Sequence, residues 1–144
     1  MILLRISDRK DPWTILAACD DRGESQLLRF LSELSPQYHG SRENLLLLLK
    51  SIADGSRSPH LLSDDKCHLI DGKHDIWEFI AGRIRVLWFY DKGKIIICSN
   101  AFLKETNKTP KLEISQAISI KIRYKEELIA NNFNIIIDEI SGVK

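Results

Sequence analysis

Four segments with the character of β-strands follow one another between residues 67 and 103, with only short turns between them. They read CHLIDG, HDIWEFI, RIRVLWFY and KIIICSNAF. Each combines β-branched and aromatic residues, and glycine marks the turns, which is the pattern of strands joined by hairpins. The segments therefore predict an antiparallel meander, and they restrict the chain to folds built around a sheet.

Two helices are predicted before the meander. Leucines recur at helical spacing in ESQLLRFLSEL, which predicts the first helix. The segment SRENLLLLLKSIADG predicts the second, with Ser41 as its N-cap and Gly55 just beyond its end. Together they predict a helical hairpin.

One helix is predicted after the meander. Thr109 suits an N-cap, and Pro110 suits the first helical position because its φ is already fixed near the helical value. The helix is expected to run to about Ala130, where the pair Asn131 and Asn132 ends it.

Shorter apolar segments near both ends of the chain predict further strands. ILLRI and WTILAACD lie near the start, and FNIIIDEI lies within residues 131–144. We interpret residues 131–144 as a C-terminal extension of a single domain that spans residues 1–144, a length suited to one core. Residues 133–140 are expected either to add an edge strand or to mask basic residues in cis.

The order of these elements predicts the fold class. Strands are grouped in one stretch and helices in others, which is typical of α+β proteins. We expect an antiparallel meander packed against the N-terminal helical hairpin, followed by a C-terminal helix. The helices are expected to cover one face of the sheet and to leave the other face available.

The charges are segregated along the chain although its net charge is only +1. Residues 66–125 contain 12 lysines and arginines against six acidic residues, whereas the segments on either side are net acidic. Binding to phosphates requires clustered cations and not a high total charge. The basic block indicates a polyanionic partner, or else a solvated face of the protein.

Several classes of protein are excluded by what the sequence contains. No apolar run approaches the roughly 20 residues of a membrane span, and the first residues do not resemble a secretory signal, so we expect a cytoplasmic protein without a membrane partner. Cys19, Cys67 and Cys98 are odd in number and widely spaced. They are interpreted as buried thiols and not as a disulfide or metal site.

The alternation of side chains in RIRVLWFY separates its two faces. Ile84, Val86 and Trp88 share the face expected under the helical hairpin, and Arg83 and Arg85 share the other. If Ala81 and Gly82 formed the turn, Glu78 would lie directly opposite Arg85. This pair is either a cross-strand ion pair of small energetic value or part of a functional site.

Three lysines follow the strand next to Arg85. Lys104, Lys108 and Lys111 lie in one short loop and the start of the following helix. The sheet topology is expected to bring them towards the end of the strand that carries Arg85. Because Lys108 lies just ahead of a predicted helix N-terminus, it is also well placed for a phosphate.

These residues carry a resemblance to a known family. The segment DGKHDIWEFIAGRIRVLWFYDKGKIIICSNAFLKETNKTPKLEISQA resembles the core of the RelE/ParE toxin superfamily, in its phage-derived HigB-like branch. The resemblance depends on the combination and spacing of Arg83, Arg85, Lys104, Lys108, Thr109 and Pro110. One departure is Glu105, which stands where the family has a second lysine.

The resemblance implies a toxin of a type II toxin–antitoxin system that cleaves mRNA in the ribosome. It implies an endoribonuclease without metal or cofactor, in which a ribose 2′-OH attacks the neighbouring phosphorus. Its expected partners are a helix-turn-helix antitoxin, the ribosome and mRNA. By this analogy the catalytic residues are Arg85, Lys108, Lys104 and Glu78, with His74 as a rival base, and the RNA-binding residues are Arg83, His74 and Lys111.

Two other functions remain open on the sequence alone. A ParE-like toxin is not a nuclease and acts by binding DNA gyrase, and it lacks a clustered Arg/Lys site. An inactive relative would serve only to bind an antitoxin or another protein. A small helix-turn-helix gene beside this one would favour a toxin–antitoxin pair over the inactive relative.

Overall fold

The computed structural model describes residues 1–105, 108–130 and 135–138. Within these ranges the strands are β1 (Ile2–Arg5), β2 (Thr14–Ala18), β3 (Cys67–Asp71), β4 (Ile76–Ala81), β5 (Ile84–Asp91), β6 (Ile95–Leu103) and β7 (Ile135–Asp138). The α-helices are α1 (Gln26–Ser32), α2 (His39–Ala53) and α3 (Lys111–Ile129), and short 3₁₀ turns span Pro36–Tyr38 and Pro59–Leu61. The α+β class is confirmed.

The strands form one mixed sheet in the order β3-β4-β5-β6-β2-β1-β7. The predicted meander is confirmed, because β3, β4, β5 and β6 are antiparallel neighbours in chain order. Strand β2 continues the sheet parallel to β6, and β1 is antiparallel to β2. The two N-terminal strands thus extend the sheet beyond the meander.

The final strand lies at one edge of the sheet. Residues 135–138 pair in parallel with β1, so for them the prediction of an edge strand is confirmed. This edge is separated from β5, which carries Arg85, by β6, β2 and β1. These four residues therefore do not mask that arginine, and the rest of the 131–144 extension lies outside the described residues.

Both faces of the sheet are covered, which corrects the expectation of one open face. Trp88 and Val86 have no exposed surface and belong to the core beneath α1 and α2, as predicted. On the opposite face, Leu87 and Phe89 pack with Tyr124 of α3. The apolar residues that alternate with the arginines in β5 thus bury the second face under α3.

The N-terminal helical hairpin is not confirmed. Strands β1 and β2 come first, and α1 is a seven-residue helix that packs on β6 and β2, whereas α2 packs on β4, β5 and β2. Helix α2 begins at His39, so Ser41 lies inside the helix and is not its N-cap. Of the five consecutive leucines, Leu46 and Leu47 are exposed, so α2 buries one face only.

The start of α3 also differs from the prediction. The helix begins at Lys111, its N-cap is Pro110, and no side chain caps it. The Thr109 hydroxyl donates instead to the Glu78 carboxylate on β4. The side chain expected to cap the helix therefore ties the start of α3 to the sheet.

The cysteines are buried free thiols, as predicted. Burial raises the pKa of Cys98 to about 12 and that of Cys67 to about 12. Because the thiolate is the reactive form, neither is a nucleophile at neutral pH.

The turn between β4 and β5 depends on Gly82. Its φ of +58° is unfavourable for other residues, and a Cβ there would clash with the Ser41 Oγ and lie 3.1 Å from the Ser41 Cβ. Gly82→Ala is expected to lower the free energy of unfolding by about 1–2 kcal/mol for backbone strain, plus about 1–3 kcal/mol for overpacking. Urea unfolding measures the loss.

Gly93→Ala is the matched control. Gly93 has a φ of +76°, and no atom lies within 4 Å of the position of its Cβ. Its replacement by alanine should therefore add backbone strain but no overpacking. Equal losses in the two variants would show that the contact with α2 does not constrain the turn.

Candidate functional site

The pairing of β4 with β5 differs by two residues from the prediction. Ala81 pairs with Ile84, so the loop consists of Gly82 and Arg83, and Ile80 lies opposite Arg85. Glu78 lies opposite Leu87 and is therefore diagonal to Arg85. A shift of two preserves the face of every side chain, so Glu78 and Arg85 still share one face.

Glu78 is the centre of a group of polar side chains that also contains His68, Arg85 and Thr109, which we call the buried cluster. The Glu78 side chain is fully buried. The Thr109 hydroxyl donates to its Oε2 at 2.9 Å. Its Oε1 lies 3.3 Å from the Nε2 of His68 and 3.8 Å from the Nε of Arg85. Three elements, β3, β5 and the segment before α3, thus supply polar partners to one carboxylate.

Arg85 is mostly buried beside this carboxylate, with 13% of its side chain exposed. Its Nη1 donates to the backbone oxygens of Gly82 at 2.6 Å and Ile84 at 3.1 Å. Burial lowers the pKa of Arg85, and the charge of Glu78 opposes that effect. Arginine stays protonated in proteins, so the site holds a fixed positive charge in a region of reduced dielectric.

Two buried atoms of the cluster have no hydrogen-bond partner among the described residues. They are the Oε1 of Glu78 and the Nε of Arg85. Unpaired buried polar atoms are costly and uncommon in folded proteins. The two atoms lie 3.8 Å apart and form an ion pair without a hydrogen bond.

Sequence reasoning missed His68 and selected His74 instead. His68 lies on β3 directly opposite Glu78, whereas His74 precedes β4 and its Nδ1 lies 2.8 Å from an Asp71 carboxylate oxygen. The His74 carbonyl also accepts from Lys121 of α3, which places this residue at the other end of β4. The register of β3 with β4 shifts between Leu69 and Asp71, so regular pairing of CHLIDG with HDIWEFI does not place His68 opposite Glu78.

Four cations lie near members of the buried cluster in the sequence, and we call them the cationic rim: Arg83, Lys104, Lys108 and Lys111. The Arg83 Nε donates to the Lys104 carbonyl, and the Lys104 amide donates to the Arg83 carbonyl. Lys108 is exposed and precedes Thr109, whose hydroxyl contacts Glu78. Lys111 is exposed in the first turn of α3. The topology thus brings the predicted cations to one region of the molecule.

Thr109→Val tests how strongly the start of α3 is tied to the cluster. The variant keeps the shape of the side chain but removes the hydroxyl that donates to Glu78, leaving a buried acceptor unsatisfied. A loss of about 1–3 kcal/mol in the free energy of unfolding is expected. Ser115→Ala, at an exposed position of α3, is the control and should change it by less than about 0.5 kcal/mol. Equal values for the two variants would contradict the role of this hydroxyl.

A model of a known protein family matches the part of the chain that contains this site. Residues 29–121, more than half of the chain, match a family of the RelE/ParE-like toxin clan. Within that clan, the chain belongs to the phage-derived Gp49-like proteins (DUF891). The match includes β3 to β6 and every member of the buried cluster and the cationic rim, whereas β1, β2 and β7 lie outside it.

Two further findings concern relatives of the chain and membrane-spanning helices. No curated protein matches its sequence significantly. Among the helices of residues 1–105 and 108–130, none is long and apolar enough to cross a membrane.

Proposed function

We propose that the chain is a HigB-like toxin of a type II toxin–antitoxin system and cleaves mRNA on the ribosome. The family is consistent with a toxin of such a pair. The observation that carries the more specific activity is the position of Arg85, mostly buried beside Glu78 and bordered by the cationic rim. This is an arrangement of fixed positive charge suited to a phosphate in its transition state.

The reaction requires three things of the protein. The 2′-OH must lose a proton, the additional negative charge on phosphorus must be stabilised, and the departing 5′ oxygen must gain a proton. Arg85 supplies the charge stabilisation, since a guanidinium binds phosphate through two parallel donors. Lys104 and Lys108 bind the flanking phosphates, and Arg83 and Lys111 extend that contact along the RNA.

Glu78 does not act as the base in this proposal. Its carboxylate has no exposed surface and accepts from Thr109, so a ribose hydroxyl does not reach it. It instead holds the side chains around it in position, as a buried carboxylate does when it is bonded on several sides.

The ribosome supplies the positioning of the substrate. Glu78 and Glu105 offset part of the positive charge of Arg85 and the cationic rim, so free RNA should bind weakly. Holding the codon and the protein together on the ribosome converts a weak encounter into a fixed geometry. Cleavage of translated mRNA and little cleavage of naked RNA follow from this.

The cognate antitoxin is proposed to be a helix-turn-helix protein that covers the cationic rim with an acidic or amphipathic segment. Acidic residues facing Lys108 and Lys111, both exposed, would block the approach of RNA by charge complementarity. The toxin is therefore inactive as long as the antitoxin is bound.

A second candidate function, that of an inactive antitoxin-binding relative, is favoured by one contact. The Arg85 guanidinium donates to the carbonyls of Gly82 and Ile84, so it already has a structural use in the β4–β5 hairpin. In that case Arg85 stabilises the hairpin and never contacts a phosphate.

Primer extension on mRNA from cells that express the chain separates the two functions. The nuclease proposal predicts new 5′ ends within translated regions, suppressed when the neighbouring antitoxin gene is expressed. Growth inhibition without any cuts would favour a non-nuclease toxin, and neither effect would favour the inactive relative.

A further inference from the structure

His68 connects the buried carboxylate with the surface of the protein. It lies on β3, which is an edge strand of the sheet, and 32% of its side chain is exposed. Its Nε2 lies 3.3 Å from the Glu78 Oε1, and its Nδ1 lies 3.3 Å from the backbone oxygen of Asp64. Glu78 itself is fully buried, so an approaching substrate meets the imidazole before the carboxylate.

The ring of His68 faces a hydrogen-bond acceptor on each side. Both nitrogens face oxygens that only accept hydrogen bonds, and an imidazolium donates from both positions. Glu78 from β4 and the Asp64 segment supply negative charge or dipoles, whereas Arg85 from β5 is the nearby cation. Burial is the main cause of the raised pKa of the neighbouring Cys67, and the charges of Asp64 and Glu78 raise that pKa further.

The two contacts of the ring are of different kinds. The contact with Glu78 is on the buried side, where the carboxylate is fixed by Thr109, whereas the contact with Asp64 is an exposed hydrogen bond within one turn of chain. An incoming oxygen can therefore replace the Asp64 carbonyl at Nδ1 without disturbing Nε2. This is the division of roles in which a carboxylate orients an imidazole and the second nitrogen transfers the proton.

We propose that His68 is the general acid of the site and that Glu78 is its positioning residue. This inference rests on the proposed mRNA cleavage. As the 2′ oxygen forms its bond to phosphorus and its proton passes to solvent water, the bond from phosphorus to the 5′ oxygen breaks. The proton on the His68 Nδ1 moves to that 5′ oxygen, and solvent then returns a proton to the ring. The products are a 2′,3′-cyclic phosphate and a free 5′-hydroxyl.

The test uses ribosomes programmed with a synthetic mRNA, either unmodified or with sulfur in place of the 5′ oxygen at the cleavage site. A 5′-thiolate departs without needing a proton, so the acid becomes dispensable on the sulfur substrate. His68→Gln is expected to lower the cleavage rate of the unmodified mRNA by about 10²-fold. On the sulfur substrate its rate should equal that of the wild type.

Two further variants complete the design. Glu78→Gln removes the charge that orients His68, and its defect should also shrink on the sulfur substrate. His60→Gln is the control, since His60 stacks on Tyr90 beneath the other face of the sheet and should leave both rates unchanged. Thermal unfolding of each variant identifies any general loss of structure.

The outcomes distinguish the two levels of the hypothesis. If the wild type cleaves neither mRNA, the proposed function is wrong, and the role of His68 with it. If the wild type cleaves but His68→Gln is unimpaired, or is equally impaired on both substrates, the nuclease stands and His68 is not its acid.

Discussion

Arg85→Ala is expected to abolish growth inhibition and, in addition, to lower the free energy of unfolding by about 3 kcal/mol. The activity is lost because the transition state loses its central positive charge, an effect of about 10²- to 10³-fold for one such group. The stability is lost because Glu78 is fully buried and Arg85 is one of its charged neighbours, 3.8 Å away. On an open face, by contrast, this arginine would have been removable without cost to the fold.

Two variants separate these effects. Arg85→Lys keeps a cation beside Glu78 but loses the paired donors of the guanidinium, so it should remain folded and lose most of its activity. The double variant Glu78→Gln with Arg85→Ala removes both charges and should recover stability without recovering activity. Urea unfolding and growth curves measure the two quantities. A stable Arg85→Lys protein as toxic as the wild type would contradict a phosphate-binding role for the guanidinium.

Trp88→Ala is expected to cost about 3–5 kcal/mol in the free energy of unfolding. The Trp88 ring has no exposed surface, stacks on Phe79 with ring centroids 4.5 Å apart, and meets Tyr90 edge-on at 4.6 Å. Truncation would leave a cavity in the centre of the core beneath α2. The midpoint of urea unfolding measures the loss.

Leu61→Ala provides the control for Trp88→Ala. Leu61 is 86% exposed, and its truncation should change the free energy of unfolding by less than about 0.5 kcal/mol. A loss below about 1 kcal/mol for Trp88→Ala would mean that the face of β5 under the helices is not the main core.

The meander was predictable because its signals are local. Alternating side chains assign the faces of β5, and the structure confirms Trp88 on the face beneath the helices. The pairing of β4 with β5 was harder, because moving the turn from Ala81–Gly82 to Gly82–Arg83 leaves every residue on the same face. Gly82 with its positive φ is suited to the first position of a two-residue loop, and that preference was the available clue.

The covering of the second face was not predicted, although part of its signal was present. Leu87 and Phe89 alternate with the arginines of β5, and two large apolar residues on an exposed face should have indicated a cover. Which element provides it is a long-range property, since α3 packs on β4 and β5 as well as on β6, the strand that precedes it in the chain. The burial of Glu78 by Thr109 follows from the same packing.

The role of His68 depends on pairing across a second hairpin. The register shifts between Leu69 and Asp71, so counting back from the turn does not place His68 opposite Glu78 without knowledge of that irregularity. His74 was predicted instead because alternation along HDIWEFI puts it on the same face as Glu78. Residues that share a face of one strand are not always in contact. Pairing with the neighbouring strand decides which side chains meet.

The most direct test of the account is the cleavage of a defined mRNA by the purified chain with and without ribosomes. The mRNA is bound to ribosomes with an empty A site in one reaction and is free in the other, and 5′ ends are mapped in both. The account predicts cuts within the A-site codon in the first reaction, almost none in the second, and far fewer cuts in the first reaction with Arg85→Lys than with the wild type. Equal cleavage of free and ribosome-bound mRNA, or no cleavage by the wild type, would contradict it.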